Sequence, residues 1–284
     1  MALYDLVVKP LARKMDLDAA SKVALQYFRF TGLVPGGRTL RRLIYKNRPV
    51  GLEREVFGLK FYNPVGLGAG LDIHGDLYND LNNLGFSFSQ IGPMGLEGVK
   101  NAVRTLQKDP QNDILAVCIN EDFLTSFTIA YDFCDFFVID LSETNGPEVA
   151  DSIIDARLTE DIYKPIVIKI SPEVGEARMG GIINYCMMNG IDGIEVSELS
   201  QIKLINRLTA GRLPVIADNP INTPQDAAEA LEAGASLLEV RRGLIKEGPK
   251  FVSRILNYLL KAQKNERTSS KQNRQLPKKE QVDS

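Results

Sequence analysis

Short apolar runs alternate with amphipathic segments along most of the chain, from Asn63 to Ala262. The short runs are rich in Ile, Val and Phe and are typical of buried strands. In the segments between them, apolar residues lie three and four positions apart, as on one face of a helix, and several of these segments end at glycine. Eight strands are predicted, near Val65 to Leu67, Phe88 to Ile91, Ile114 to Ile119, Phe136 to Leu141, Ile166 to Ile170, Gly193 to Val196, Pro214 to Ala217 and Leu237 to Val240.

The order of these elements predicts the architecture. Strands that alternate with helices pair in parallel, because each helix serves as the crossover to the next strand. Eight such units in about 200 residues fit a closed (β/α)8 TIM barrel, with an open doubly wound sheet as the alternative. A barrel of this kind carries its active site at the C-terminal ends of the strands. The residues just after each apolar run are therefore the candidates for chemistry.

Residues 1–48 lie outside the alternating pattern. The stretches DLDAASKVALQYFRFTG and RTLRRLIYKN each predict a short amphipathic helix rich in Lys and Arg. Such helices suit the surface of an anionic membrane, and a helical hairpin packed over the end of the barrel explains the pattern equally well. The predicted organisation is a basic helical segment at 1–48, a barrel at 49–262 and a disordered basic tail at 263–284.

The charge of the chain is unevenly distributed. The whole chain has a formal net charge of -2, whereas residues 1–48 carry +7 and residues 261–284 carry +4. The middle of the chain is therefore acidic. This balance does not suggest a general nucleic-acid-binding protein.

The three cysteines predict a reducing environment. Cys118, Cys134 and Cys186 are odd in number, far apart and without metal-ligand spacing, so they support neither a disulfide framework nor a zinc site. No apolar run is long enough for a membrane span, and the first residues lack the features of a signal peptide. The expected location is the cytoplasm, with peripheral attachment to the inner face of the membrane as the further option.

Four stretches resemble dihydroorotate dehydrogenases, especially the quinone-linked class 2 enzymes. They are FYNPVGLGAGLDIHGD with the following LGFSFSQIG, then KPIVIKISPE, NGIDGIEVSE and EAGASLLEVRRGLIKEGP. The resemblance implies an FMN-dependent flavoprotein of pyrimidine biosynthesis that oxidises dihydroorotate to orotate and passes electrons to quinone. It also implies that residues 1–48 form the entry for quinone at the membrane. The expected partners are a small molecule at the barrel mouth, quinone and the membrane surface.

The resemblance assigns roles to individual residues. Lys169 matches a lysine that contacts the flavin near N1, where positive charge stabilises the reduced anion. Asn145 matches an asparagine that holds orotate, and Glu143 occupies the position of the catalytic serine base. The cofactor-binding residues implied are Gly68, Ala69, Gly70, Lys169, Ser197, Arg241 and Arg242. For the two arginines, an ion pair with Asp218 or Glu239 is the alternative.

Other positions depart from the pattern of the family. Ile73 replaces a lysine that serves flavin and substrate, and Cys118 replaces a flavin-contacting asparagine. The phosphate-binding glycines are replaced in the sequence VIADNPIN, where Pro220 has no N–H to donate and Asp218 opposes an anion. Two further carboxylates, Asp140 and Glu198, stand where the family has asparagine.

Three hypotheses follow. The first is an active, divergent FMN oxidoreductase. The second is a barrel that has lost flavin and chemistry and has a binding or regulatory role. The third is that the acidic mouth binds a metal or a cationic ligand, with carboxylate oxygens from Asp140, Glu143, Glu198 and Asp218. No metal ligand is assigned by the family resemblance itself.

Overall fold

The computed structural model of the chain describes residues 4–12, 14–46, 49–111, 113–142, 146–218 and 220–275. Its strands are β1 (Arg54–Val56), β2 (Leu59–Phe61), β3 (Val65–Leu67), β4 (Phe88–Met94), β5 (Ile114–Ile119), β6 (Phe136–Asp140), β7 (Ile166–Lys169), β8 (Gly193–Val196), β9 (Val215–Ala217) and β10 (Leu237–Val240). Strands β3 to β10 form a closed barrel in sequence order, and every neighbouring pair is parallel.

The closed order confirms the predicted barrel. Strand β10 pairs with β3 on one side and with β9 on the other, so the sheet has no open edge there and the doubly wound alternative is wrong. Strand β4 continues to Met94, beyond the predicted end at Ile91, through an irregularity in its pairing with β5. The barrel strands are buried along nearly their whole length, which is why they read as apolar runs rather than as alternating patterns.

Helices surround the barrel and precede it. A π-helix spans Tyr4–Val8 and 3-10 helices span Tyr131–Phe133 and Pro147–Ala150. The α-helices are α1 (Lys9–Ala12), α2 (Leu17–Leu33), α3 (Gly37–Tyr45), α4 (Tyr78–Asn82), α5 (Leu96–Lys108), α6 (Phe123–Ala130), α7 (Asp151–Arg157), α8 (Glu176–Met188), α9 (Leu199–Thr209), α10 (Pro224–Glu232), α11 (Arg242–Glu247) and α12 (Phe251–Gln275).

Aromatic side chains fill the lower barrel and close its N-terminal end. The antiparallel β1–β2 hairpin supplies Phe57 and Phe61, whose rings lie 5.9 Å from Phe136 and 5.5 Å from Phe88, centroid to centroid. Gly193 leaves room for this plug, because a Cβ built there would lie 2.5 Å from the ring of Phe57. The apolar plug leaves the C-terminal end as the place where polar side chains meet.

The N-terminal helices pack against the barrel. The Tyr4 hydroxyl donates a hydrogen bond to the Ile245 carbonyl at 2.7 Å. The buried guanidinium of Arg41, on α3, donates to the carbonyls of Asp80 and Phe28. These contacts agree with the helical hairpin over the barrel, one of the two interpretations of the sequence. The outer faces of α2 and α3 still expose apolar side chains: Phe30, Leu33, Leu40, Leu43 and Ile44.

The last helix extends into the segment that the sequence predicts to be a basic tail. Helix α12 runs to Gln275, so residues 263–275 lie within a helix, whereas 276–284 lie outside the described residues. Within the described ranges, no helix is long and apolar enough to cross a membrane.

Candidate functional site

Four charged residues converge inside the C-terminal end of the barrel. Lys169 ends β7, Glu195 lies in β8, Asp218 follows β9 and Glu239 lies in β10. Because parallel strands end at the same edge of a closed sheet, residues distant in sequence meet there. We call these four residues the mouth cluster.

Lys169 holds two carboxylates of the mouth cluster. Its Nζ lies 2.5 Å from Glu195 Oε1 and 2.7 Å from Asp218 Oδ2. The Glu195 side chain is fully buried, and its second oxygen accepts a hydrogen bond from Gln90 Nε2 at 3.0 Å. Burial alone would lower the pKa of Lys169, but the carboxylates of Glu195 and Asp218 raise it well above its usual value. Lys169 is therefore a cation at neutral pH, paired with two carboxylates.

Arg241 extends over the glycine loop that follows β3. Its Nη2 pairs with Asp218 Oδ1 at 2.6 Å, and its Nη1 donates to the Ala69 carbonyl at 3.3 Å. A Cβ built on Gly68 would lie 3.0 Å from Arg241 Cγ. Gly70 has a φ of 95°, a left-handed conformation that glycine adopts readily. The loop thus keeps its predicted glycines, but an arginine side chain lies against it.

Glu239 is the acid of the mouth cluster that lacks a hydrogen-bond partner. Its side chain is buried, and neither carboxylate oxygen has a partner in the part of the chain that the structure describes. A Cβ built on Gly68 would lie 2.7 Å from Glu239 Oε2, so a larger residue there would displace this carboxylate. Burial raises the pKa of Glu239, and the nearby charges of Glu195 and Asp218 raise it further.

The carboxylates of the mouth cluster also lie close together. One oxygen from each of Glu195, Asp218 and Glu239 lies within 4.8 Å of the other two. Burial raises the pKa of Glu195 as well, although Lys169 opposes that effect. At this distance the acids repel one another unless protons or cations lie between them.

A solvent-connected cavity of about 330 Å³ opens above the mouth cluster. Ser21 of α2 lies on its wall, which places an N-terminal helix beside the mouth. Four of the predicted cofactor-binding residues line the cavity, namely Gly70, Ser197, Arg241 and Arg242. The cavity is large enough for a small molecule.

Several predicted residues do not join the mouth cluster. Ile73 is exposed on the loop before α4 and retains 45% of its accessible surface. Cys118 is buried among the apolar side chains of the barrel interior, where burial first and the charge of Glu195 second raise its pKa well above the usual value. Asp140 accepts a hydrogen bond from the Ser142 backbone N–H at 3.0 Å.

The acids that meet differ from the metal ligands predicted from the sequence. Of that predicted set, Asp218 belongs to the mouth cluster, while Glu198 is exposed on the wall of the cavity. Glu143 and Asn145, the predicted base and orotate ligand, lie outside the described residues, as does Asn219.

Sequence reasoning overlooked Glu195 and Gln90. Both are polar residues within strands of the barrel, and each has a fully buried side chain. A glutamate within a buried strand such as GIEV is itself a signal, because acids are seldom buried without a partner. From the sequence, Glu239 was considered only as a possible ion-pair partner for Arg241 or Arg242. In the structure, Arg241 pairs with Asp218 instead.

The chain is similar to known proteins over most of its length. A family model described as dihydroorotate dehydrogenase matches residues 188–262. A protein of Christiangramia forsetii named dihydroorotate dehydrogenase (quinone) is 28% identical, over 91% of this chain and 99% of its own length. A protein of the same name from Nostoc punctiforme is 27% identical, over 92% of this chain and 94% of its own.

A solved structure has the same fold. The structure of DHODH from Eimeria tenella in complex with ferulenol superposes with a TM-score of 0.69. The sequence identity is 19%, and the match covers 83% of this chain and 91% of the other. A ligand-free structure of the same Eimeria protein superposes with a TM-score of 0.65. At this identity the superposition establishes the barrel fold alone.

Proposed function

Because this chain is a divergent member of the dihydroorotate dehydrogenase family, we propose that it retains the barrel and a small-ligand site at the mouth but does not oxidise dihydroorotate through FMN. Its role is then that of a binding or regulatory protein. The observation that carries this proposal is the state of Lys169, whose ammonium lies within 2.7 Å of the carboxylates of both Glu195 and Asp218.

The pairing of Lys169 bears directly on flavin chemistry. The family resemblance gives this lysine the task of stabilising the negative charge of the reduced flavin near N1. Two carboxylates beside the ammonium offset that charge and would add negative charge where the family resemblance puts the flavin. Ile73, at the position of the second lysine, supplies no cation in compensation. The pairing of Lys169 and the loss of a cation at Ile73 would therefore disfavour the negatively charged reduced flavin that oxidation of dihydroorotate requires.

The residues present do not fit FMN in the way that the family resemblance assigns. The glycine loop would back the flavin ring, yet the side chains of Glu239 and Arg241 approach to 2.7 and 3.0 Å of a Cβ on Gly68. At the phosphate end, Pro220 offers no N–H and Asp218 is negative. The positive charge of Arg241 is directed to Asp218 rather than left open for phosphate. Both the ring and the phosphate of FMN would therefore meet side chains that oppose them.

Absorbance of the purified protein tests this proposal. The protein is purified without added cofactor, its spectrum is recorded from 350 to 500 nm, and the measurement is repeated after FMN is added and the excess removed. We expect no flavin bands in either sample and no dihydroorotate-dependent reduction of a quinone. An intact quinone-linked dihydroorotate dehydrogenase, handled in parallel, must show flavin bands. One FMN per chain with turnover would overturn the proposal.

An FMN-dependent dihydroorotate dehydrogenase is the second candidate function. It is favoured by the cavity in which Gly70, Ser197, Arg241 and Arg242 occur together. Arg242 is exposed at the start of α11 and could pair with a phosphate. If the purified protein carries FMN, replacing Arg242 with alanine should weaken its retention. If it carries none, this candidate fails.

Contact with a membrane is a separate part of the proposal. Helices α2 and α3 expose the apolar side chains of Phe30, Leu33 and Leu43. Other residues of the same two helices line an apolar groove of about 290 Å³, which is large enough for part of a quinone. Basic residues on the same helices favour anionic lipid. We expect sedimentation with phosphatidylglycerol vesicles and loss of binding in Leu43→Glu, whose side chain is 79% exposed. Equal sedimentation of both proteins would argue against this surface.

A further inference from the structure

We propose that Glu195, Asp218 and Glu239 form a site for one hard divalent cation inside the barrel mouth. The inference rests on the proposed function, in which the site at the mouth holds a ligand other than flavin. It differs from the metal site predicted from the sequence, because only Asp218 is shared. The remaining ligands come from inside strands β8 and β10.

The spacing of the carboxylates suits a large divalent ion. One oxygen of each acid lies within 4.8 Å of the others. Ca²⁺ binds oxygen at about 2.3–2.6 Å, so two ligands on opposite sides of the ion lie about 5 Å apart. Mg²⁺ demands near-ideal octahedral geometry and gives up its water reluctantly, whereas Ca²⁺ accepts irregular geometry from carboxylates held in fixed strands. The mouth cluster therefore fits Ca²⁺ better than Mg²⁺.

Unpartnered oxygen atoms provide a second and independent reason for a cation. Both carboxylate oxygens of Glu239 lack a partner among the described residues, although the side chain is 1% exposed. Gln90 Oε1 is also buried and has no hydrogen-bond partner within the described ranges, while its Nε2 donates a hydrogen bond to Glu195. A buried carboxylate or amide oxygen without a partner is costly, and a cation satisfies several at once. Oxygen atoms of this type are the ligands that Ca²⁺ prefers.

The lysine in the mouth cluster does not remove the need for a cation. Lys169 contacts Glu195 and Asp218, and Arg241 contacts Asp218, but neither forms an ion pair with Glu239. When all groups are ionised, three carboxylates face two cations. The buried cluster keeps a negative charge, and its low-dielectric surroundings strengthen the attraction for an added cation.

A cation can reach this position from solvent. Asp218 and Glu239 both line the cavity at the mouth, so the cluster is connected to the outside. Exposed Glu198 lies on the same wall and adds negative charge along the way. Asp218 already pairs with Lys169 through Oδ2 and with Arg241 through Oδ1, so an ion that enters beside Glu239 would share this carboxylate with both side chains.

Proton release is the expected signature of this site. Burial and the neighbouring acids favour the protonated form of Glu239, so an entering cation displaces a proton. The charged groups that face Glu239 are Glu195 on β8, Asp218 after β9, Lys169 on β7 and Arg241 after β10. Binding should therefore strengthen as pH rises.

Isothermal titration calorimetry of the full chain tests the inference. The protein is dialysed against EDTA and then against metal-free buffer, and it is titrated with CaCl₂ and separately with MgCl₂ at pH 7 in two buffers of different ionisation enthalpy. We expect one Ca²⁺ per chain, weaker Mg²⁺ binding and a net release of protons on binding. Glu239→Gln should weaken Ca²⁺ binding more than about tenfold. Glu232→Gln, on the exposed face of α10, should leave it unchanged.

Two outcomes would overturn the inference. One is the absence of Ca²⁺ binding at millimolar concentrations, which would mean that Glu239 simply holds a proton. The other is binding that Glu239→Gln leaves intact, which would place the ion elsewhere. Circular dichroism of Glu239→Gln confirms that the variant is folded. The flavin spectrum tests the proposed function separately: flavin bands with Ca²⁺ binding would refute that function alone, and a colourless protein without Ca²⁺ binding would refute this inference alone.

Discussion

Lys169 Nζ lies 2.5 Å from Glu195 Oε1, across the neighbouring strands β7 and β8. The register of the barrel places these two residues side by side. Glu195 has no exposed surface, and its strand is buried at every residue. The lysine that the family resemblance assigns to flavin is thus the counter-ion of an acid inside the barrel wall.

This pair predicts that Lys169 contributes strongly to folding stability. In Lys169→Met, the carboxylates of Glu195 and Asp218 would remain buried without their shared cation. Removing one partner of a buried pair typically costs about 3–5 kcal/mol. We expect a loss of this size in the free energy of unfolding, measured by urea denaturation at pH 7.

A surface ion pair of the same chain provides the control. Arg207 pairs with Glu176 at 2.8 Å, but both side chains are about 70% exposed. Arg207→Met should change the free energy of unfolding by less than about 1 kcal/mol. The double variant Lys169→Met/Glu195→Met should recover part of the lost stability, because it leaves no unpaired charge at Glu195. Equal effects at Lys169 and Arg207 would contradict the structural role of the buried pair.

The barrel could be predicted from the sequence because each strand is buried on both faces. The run IVIK and its seven counterparts appear as apolar segments. The helices between them are recognisable because their apolar residues lie three and four positions apart. Parallel pairing then follows from the crossover helices, and closure follows from the number of strands.

The site was harder to predict, for a geometric reason. Whether a strand residue faces the barrel interior depends on the parity of the strand register, and a shift of one residue reverses it. Glu195 and Glu239 point inward, whereas Glu198, which sequence reasoning favoured, lies beyond the end of β8 and is exposed. Lys169 and Arg241 were recognised from the family resemblance, but their pairing with Asp218 depends on contacts between distant strands.

The space over the glycine loop gives a second prediction. In Gly68→Ala, the new Cβ would lie 2.7 Å from Glu239 Oε2 and 3.0 Å from Arg241 Cγ, so both side chains would have to shift. Overpacking of this kind costs about 1–3 kcal/mol. Thermal unfolding should show a lower melting temperature.

A glycine with free space around it is the matched control for that substitution. Gly181 lies within α8, is exposed, and a Cβ there would meet nothing within 4 Å. Gly181→Ala should raise the free energy of unfolding by about 0.5–1 kcal/mol, because alanine is the better helix former. If Gly68→Ala were equally harmless, the side chains of Glu239 and Arg241 could not be packed against the loop.

The cysteines provide a third prediction. Cys118, Cys134 and Cys186 are all free thiols with buried side chains. Burial raises the pKa of each, that of Cys186 to about 12. Because the thiolate is the reactive form, none should react quickly with a thiol reagent such as DTNB in the folded protein at pH 8. Three thiols should react after denaturation, and rapid labelling of the folded protein would show that a buried cysteine is accessible.

The unpartnered carboxylate predicts how stability depends on pH. The pKa of Glu239 is raised in the folded state by burial and by the neighbouring acids. At pH values between the usual glutamate pKa and this raised pKa, the folded protein therefore holds a proton that the unfolded chain has already lost. The stabilisation from this proton is fully present below the usual glutamate pKa and is lost as pH rises through the higher, folded-state value. Glu239→Gln has no proton to lose at this position, so its advantage over the unmodified chain should grow as pH increases.

Urea denaturation between pH 5 and 9, in EDTA, measures this difference. The two proteins should be most alike at the acidic end, and Glu239→Gln should be the more stable at the alkaline end. Glu232→Gln, at an exposed site, should follow the unmodified chain throughout. Parallel stability curves for Glu239→Gln and the unmodified chain would mean that residue 239 does not change its charge on this range. Added Ca²⁺ should reduce the difference, because a cation bound at Glu239 stabilises the ionised carboxylate of the unmodified chain alone.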